Sequence, residues 1–402
     1  MHPLAPTLRR LARVGAGAAV MVVLLAPTAV GAETSPTACV AKDAVSGRNT
    51  YGGDLADWMT CMYPPGSASA RTTQLGTVMM PGSHDAGTNA LFNAEASTFH
   101  YAARCPSPID KAVKDLHWAT RQWAMAQTRT SADQAAVGSR WFDLRGVLDN
   151  YVWHSCNGLV ADRWFDVFDS LIIFNASHPA EVLVIDMAQL LDPINDVSAL
   201  RLSEALAPLC RKAVGPAQAP LASGIAGRVT IAEARSAGGF VIQLADDAPS
   251  QHAFTAMTRW LADHPTDHCY GKLWSRSGTR VSVDNRADAN LWLNRRKVKE
   301  GANSMVKWAS TQHADALGSF HVTQFTWDFT GPAGAIPYQV WLMNHWLIDY
   351  NAALARPTRD LARGLWQEAC ATGKPPNVIL LDNISRPRPI RELIAYNQTP
   401  CH

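Results

Sequence analysis

The sequence predicts an α/β fold of the (β/α)8, TIM-type barrel class, and three observations predict it. Short apolar runs recur along the chain, separated by longer stretches with helical spacing. The runs are too short and too evenly apolar for half-exposed hairpins, and match strands buried on both faces of a parallel sheet. Strand and helix alternate over about 310 residues, the pattern of a barrel and not of a sandwich.

The first residues read as an export leader and not as part of that fold. Arg9, Arg10 and Arg13 form a basic start, Val14 to Leu25 is an apolar run too short to span a membrane comfortably, and Val30-Gly31-Ala32 offers small residues for cleavage. Residues 1–32 are therefore expected to be a signal peptide, by the general or the twin-arginine route, with a secreted, extracellular product. Cleavage after Ala32 would leave 370 of the 402 residues. Residues 33–70, rich in Gly, Ser, Thr and Ala, read as an N-terminal extension that a disulfide through Cys39 or Cys61 could staple to the main domain, residues 71–402.

Composition narrows the function classes. Hydrophobic residues make up 47% of the chain, ample for a large core. Without the three leader arginines, 33 basic residues face 34 acidic ones, so the basic face that a nucleic-acid binder needs to release counterions is missing. All eight cysteines follow the leader, an even number in an exported chain, which predicts disulfides of undetermined pairing. No Cys-x-x-Cys or Cys/His cluster has the spacing of a structural zinc site.

Taken in order, the predicted strands are Gly76 to Met80, Arg140 to Arg145, Val152 to His154, Val182 to Met187, Phe240 to Leu244, Val322 to Phe325 and Val378 to Leu381. An eighth is sought at Lys272 to Trp274 or Val281 to Val283. Arg163 to Ala176 places Trp164, Val167, Phe168, Leu171, Ile172 and Ile173 on one broad apolar face and stops before Pro179; Trp341 to Thr372 is a second helical stretch, interrupted at Pro357.

The polar residues fall where a barrel keeps its chemistry. Met80 leads to His84, Phe142 to Asp143 and Arg145, Val152 to His154, and Leu381 to Asp382, so four predicted strands end in reactive groups. Two imidazoles, a guanidinium and several carboxylates are what phosphodiester cleavage requires without a metal. One imidazole removes the nucleophile's proton and another protonates the leaving oxygen. The guanidinium fork meets the charge growing on the phosphoryl oxygens.

Three stretches carry a resemblance to a known family: Met80-Pro81-Gly82-Ser83-His84-Asp85-Ala86-Gly87-Thr88, then Gly138-Ser139-Arg140-Trp141-Phe142-Asp143-Leu144-Arg145-Gly146, then Trp153-His154. Glu181-Val182-Leu183-Val184-Ile185 and Val378-Ile379-Leu380-Leu381-Asp382 add to it. The chain resembles the bacterial phosphatidylinositol-specific phospholipases C, distorted TIM barrels, over most of residues 70–390. The resemblance implies that His84 is the general base acting on the inositol 2-hydroxyl and His154 the general acid on the lipid alkoxide. It implies that Asp382 orients His84, that Asp85 supports His154 and Arg145, and that Arg145 stabilises the pentacoordinate phosphorus. Asp143, Glu181 and Gln243 join Arg145 as expected substrate contacts. The implied partner is a phospholipid at a membrane surface, met by a monomer.

The same resemblance implies that no metal or other cofactor is used. Calcium-dependent members carry a carboxylate where this chain has Arg145, and an asparagine where it has Asp85; a guanidinium there repels a divalent cation and takes over its charge. Two departures bear on the substrate. Family members with inositol specificity have basic residues after the fourth and fifth strands, where this chain reads Met187-Ala188-Gln189 and Gln243-Leu244-Ala245-Asp246-Asp247. Another headgroup, as in a glycerophosphodiester or a sphingolipid, stays open, as does a barrel that binds headgroups without turnover.

Simpler roles stand beside these. His84-Asp85 in a glycine-rich loop fits a capped turn, Asp143 and Arg145 a buried ion pair, His154 beside Cys156 a packed side chain, and Asp382 a helix cap. Trp141, Trp153 and Trp327 fit either an apolar rim against lipid or core filling.

Overall fold

Strand β3 (Met80–Ser83) is flanked in parallel by β4 (Trp141–Asp149) on one side and by β13 (Val378–Leu381), the last of the described strands, on the other. The computed structural model describes residues 39–44, 47–93, 105, 124–192, 195–212, 226–244, 281–284, 287–288, 321–325, 327–328, 363–364, 366–367, 370–371, 378–381, 384 and 387–399. The expected leader, Asp382 and most of the expected helix from Trp341 to Thr372 lie outside these.

From that centre the parallel sheet continues outward through β7 (Leu183–Leu190) and β8 (Phe240–Leu244) beyond β4, and through β11 (His321–Phe325) and β9 (Val281–Asp284) beyond β13. Among the described residues seven parallel strands thus lie in the order β8-β7-β4-β3-β13-β11-β9, with the first strand of this sheet beside its last. A two-residue parallel ladder joins β10 (Ala287–Asp288) to β12 (Trp327–Asp328).

Two expectations are corrected. The run Gly76 to Met80 is not the first strand: Leu75–Thr77 winds into a 3-10 turn, and the strand begins at Met80. The run beginning at Val152 is a strand, β5 (Val152–Asn157), but an antiparallel one, hairpinned onto the upper half of β4 and followed by β6 (Leu159–Arg163). Exposed or half-buried residues alternate with buried ones over Val152–Ser155, a pattern that the three residues from Val152 to His154 are too few to display. The parallel place it vacates is taken by Val281–Asp284, one of the two candidates for a further strand.

Period-two alternation sorts side chains to the two faces of the sheet. Phe142 and Leu144 of β4 and Leu183, Ile185 and Met187 of β7 pack with Trp164, Val167, Phe168 and Leu171 of helix α1 (Trp164–Ser177), and with Leu202, Leu206 and Leu209 of helix α2 (Asp196–Lys212). On the opposite face the register aligns Trp141, Val184 and Val241 in one apolar row, all buried. The next row up on that face is Asp143, Asp186 and Gln243. An apolar floor therefore lies directly beneath a polar layer.

The N-terminal segment is part of the core rather than an appendage. Cys39 and Cys61 pair with each other, not with the main domain as the sequence reading allowed. What attaches the segment is burial of Leu55, Trp58, Met59 and Met62 among sheet residues. A second disulfide joins Cys105 to Cys156 on β5. Among the described residues no helix is long and apolar enough to cross a membrane.

Candidate active site

The loop that follows β3 is built to present one imidazole. The His84 N–H continues the ladder by donating to the Leu381 carbonyl (3.2 Å), and the Ala86 N–H donates to the Asp143 carbonyl (2.8 Å). Between them Asp85 adopts φ of +44°, a left-handed conformation that Asp tolerates better than most residues, which reverses the chain within one residue. Gly87 is required by close approach: a Cβ there would collide with Ser155 Oγ and lie 2.8 Å from Ser155 Cβ. The Thr88 hydroxyl donates to the Asp85 carbonyl (2.8 Å) and accepts from the N–H groups of Ala126 and Gln127 (3.1 Å each).

Two buried glutamines complete the clamp, and the sequence reading missed both. The Gln127 amide nitrogen donates to the carbonyls of His84 (2.9 Å) and Leu381 (2.8 Å), while its oxygen accepts from the Ile384 N–H (3.1 Å). One side chain thus fixes the end of β3 to both sides of residue 382. Gln134 donates to the Ala86 carbonyl at 2.9 Å. No local pattern marks a lone glutamine as a bridge between segments that lie more than 250 residues apart in sequence.

Alternation along β4 brings Asp143 and Arg145 to the same face, beside this loop. Arg145 Nη2 lies 2.7 Å from His84 Nε2 and 3.9 Å from Asp143 Oδ2, and Arg145 Nε lies 3.0 Å from Asp85 Oδ1. Asp85 Oδ2 is 3.3 Å from His84 Nε2, and the Asp85 N–H reaches Asp143 Oδ2 at 3.4 Å. The guanidinium is held by two carboxylates with one edge against the imidazole. Asp85, Asp143 and His84 are buried, whereas the Arg145 side chain is 22% exposed and forms the accessible surface of the group.

His84, Asp85 and Asp143 each offer an atom of metal-ligand type, all within 4.8 Å of one another. The donor set is suited to a divalent ion, but the Arg145 cation contacts all three residues, and a second positive charge would have to displace it.

His154 stands on β5 opposite Val147 of β4, two positions from Arg145 on the face that Arg145 shares. Diagonal neighbours of this kind are about 7–8 Å apart. Its Nδ1 is bonded to the Ala161 carbonyl at 3.1 Å, an arrangement in which Nδ1 carries a proton and Nε2 is left for exchange. The next residue, Asp162, ties the same segment to the His84 loop: its N–H donates to the Gly87 carbonyl (3.1 Å) and its carboxylate accepts from the Ala90 N–H (3.2 Å). Burial pushes the Asp162 carboxyl up to about 7, against the pull of backbone N–H donors at Ala90 and Asn89.

The remaining expectations fare differently. Asp186 joins the polar layer next to Asp143, fully buried; its position in an apolar run gave no sign of chemistry. Gln243 occupies the neighbouring ladder position on β8. Asp382 lies outside the described residues. Glu181 is a correction. It precedes β7, at the end of the sheet away from His84, and is fully buried. It accepts from Arg140 Nε (2.8 Å) and Nη2 (2.6 Å) and from the N–H groups of Met59 and Thr60 (3.2 and 2.8 Å), which leaves it no access to a substrate. Trp141 and Trp153 are 0% and 1% exposed, so neither belongs to an apolar rim.

No known protein-family profile matches the chain, and no curated protein matches it in sequence. Among solved structures it is similar to a phosphatidylinositol-specific phospholipase C from Listeria monocytogenes, at 13% identity and a TM-score of 0.49, over 86% of this chain and 99% of that one. A phosphatidylinositol-specific phospholipase C from Staphylococcus aureus gives the same identity and TM-score, over 86% and 98%.

Proposed function

We propose that this chain is a secreted phosphodiesterase of the phospholipase C type, a distorted (β/α)8 barrel acting as a monomer on phosphatidylinositol without a metal. The observation that carries the reading is the Arg145 guanidinium seated between His84 Nε2 and the Asp85 carboxylate, at the C-terminal ends of adjoining parallel strands. A structural ion pair needs no imidazole at its exposed edge, and a headgroup binder needs the arginine without two histidines.

In this reading His84 takes the proton of the inositol 2-hydroxyl as that oxygen attacks phosphorus. The bond from phosphorus to the glycerol oxygen breaks, and His154 Nε2 protonates the departing alkoxide. The products are diacylglycerol and inositol 1,2-cyclic phosphate. Arg145 turns its exposed edge to the phosphoryl oxygens, where charge grows, and Asp85 and Asp143 hold its fork in place. The role of orienting His84 is assigned to Asp382, the residue that follows Leu381 in sequence.

One observation favours a second headgroup. The polar layer carries the carboxylate of Asp186 beside Asp143, and the strand continues as Met187-Ala188-Gln189, without the basic residue that inositol-specific members of the resembled family carry there. A glycerophosphodiester or a sphingolipid is then the substrate, cleaved by the same residues.

Phosphorus NMR of the purified protein with phosphatidylinositol micelles tests both readings. The expected result is a cyclic phosphate signal that EDTA does not suppress and that His84→Ala abolishes. Activity lost in EDTA and restored by calcium or magnesium would sink the metal-free mechanism. Cleavage of another phosphodiester but not of phosphatidylinositol, again abolished in His84→Ala, replaces the substrate and keeps the chemistry.

A further inference from the structure

The pairing of β5 with β6 is irregular at one place, and that place adjoins His154. Cys156 pairs with Val160 and Asn157 with Leu159, a register that would set His154 opposite Asp162; instead His154 pairs with Arg163. Two residues of β6, Ala161 and Asp162, therefore stand opposite the single residue Ser155, and form a β-bulge. A bulge leaves backbone groups outside the ladder and re-aims the side chains around it. Here those groups have partners of their own.

The Ala161 carbonyl lies 3.1 Å from His154 Nδ1, and because a carbonyl can only accept, that ring nitrogen carries the proton. The Asp162 N–H turns the other way and donates to the Gly87 carbonyl (3.1 Å), in the loop that follows His84. Both oxygens of the Asp162 carboxylate are within reach of the Ala90 N–H, at 3.2 and 3.4 Å, in the first residue of the short helix Ala90–Asn93 that ends this loop. The neighbouring guanidinium of Arg163 is engaged by Asp166 at 2.7 and 2.9 Å, which leaves the Asp162 carboxylate to backbone donors. Ser155, opposite the bulge, is buried against Gly87, where any side chain on residue 87 would collide with it. Past the bulge, Leu159 packs with Leu91 and Ala124, and the Asn157 amide donates to the Ala124 carbonyl at 3.3 Å. Two adjacent residues thus hold one histidine by its ring and the loop of the other by its backbone.

We propose that the Ala161–Asp162 bulge is the device that aims His154 as the general acid, with Asp162 as the positioning residue that fixes the bulge to the His84 loop. The Ala161 carbonyl selects the tautomer and turns Nε2 outward for proton transfer. Asp162 sets where that carbonyl sits relative to His84, so acid and base are carried on one frame. The proposal deepens the function read above and rests on it for the role of His154 in protonating the leaving oxygen.

The test compares the wild type with three variants. Asp162→Ala removes the acceptor, Ala90→Pro removes the donor at a first helical position where proline is tolerated, and Asp162→Asn keeps an oxygen for the same N–H. Nitrogen NMR of isotope-labelled histidine reads the tautomer, with the His154 signals assigned by their loss in His154→Ala. Neutral His154 should hold its proton on Nδ1 in the wild type and in Asp162→Asn, and lose that preference in Asp162→Ala and Ala90→Pro. A wild-type ring protonated on Nε2, or a tautomer that neither lesion shifts, overturns the proposal. The two lesions cut one bond from opposite sides, so if one variant does not fold the other decides.

A second measurement separates positioning from mere support of the fold. On phosphatidylinositol, whose leaving alkoxide needs a proton, kcat of Asp162→Ala should fall on the order of tenfold or more at unchanged KM. On an inositol nitrophenyl phosphate, whose leaving group needs none, it should fall by about twofold or less. An equal loss on both substrates reduces the bulge to a structural role and overturns the proposal. A wild type that cleaves neither substrate, in a protein where Asp162→Ala still shifts the tautomer, would refute the phospholipase reading and leave the hold on His154 standing.

Discussion

The two arginines of β4 and its approach, five residues apart, meet carboxylates at opposite ends of the sheet and do opposite things. Arg140 is fully buried, with Glu181 accepting from two of its nitrogens and the carbonyls of Leu55, Ala56, Ala135 and Ser139 accepting the remaining donors. The rings of Trp58 and Phe174 lie 5.6 and 5.3 Å from its guanidinium carbon. Every donor is committed to joining the N-terminal segment to the sheet. Arg145 keeps one edge open to solvent, and its neighbours are an imidazole and two carboxylates that lie in a layer above an apolar floor. The same ion-pair chemistry stabilises the fold where it is sealed and presents a charged edge to solvent where it is left accessible.

Breaking the sealed pair should produce the largest change in stability. Arg140→Met leaves Glu181 charged and buried, and is expected to lower unfolding free energy by about 3–5 kcal/mol, read from urea denaturation. Arg145→Lys should do the reverse: phosphodiesterase activity falls by on the order of 10²–10³, as for loss of a transition-state donor, while the denaturation midpoint hardly moves. If Arg145→Lys proves as destabilising as the change at Arg140, the contrast fails. Gln127→Leu sits between the two. It strands two carbonyls and an N–H, so a loss of about 1–3 kcal/mol is expected together with a fall in kcat at unchanged KM, because it positions His84 without touching substrate.

A further effect is one of pH. The Asp162 carboxyl, pushed up to about 7 by burial, stays protonated in the folded state while the unfolded chain ionises near the ordinary carboxylate value of about 4. The unfolded state then binds fewer protons, and its share of stability declines as pH rises from about 4 to about 7. Asp162→Asn should flatten that slope, measured as denaturation midpoints at pH 5 and pH 8. An unchanged slope would return Asp162 to an ordinary surface acid.

Much of the sheet could be read from sequence because buried parallel strands leave uninterrupted apolar runs; Phe240–Leu244 and Val378–Leu381 begin and end where the runs do. The hairpin was misread as a barrel strand because Val152 to His154 shows too little of its alternation. His84, Asp85, Asp143 and Arg145 could be found because they share two short contiguous motifs, and the structure brings those four together. Gln127 and Asp162 could not, since their work is done by pairing with backbone groups far away in the chain. Glu181 was misassigned for a related reason: a carboxylate before an apolar run looks the same at either end of a strand, and only the identity of its partner, Arg140, tells which end it holds.

The pairing of β3 with β13 also sets an order of events during synthesis. Ser83 lies opposite Leu381, so the strand leading to His84 waits until residue 381 is made before the second of its two neighbours exists. Until then β3 has a bare edge of N–H and C=O groups, and Gln127 has no Leu381 carbonyl or Ile384 amide to bind. Closing so long a loop is slow and comes late in folding. The His84 loop would therefore be among the last parts to acquire its shape, and a nascent or unfinished chain would lack the assembled His84–Arg145 cluster until β13 arrives.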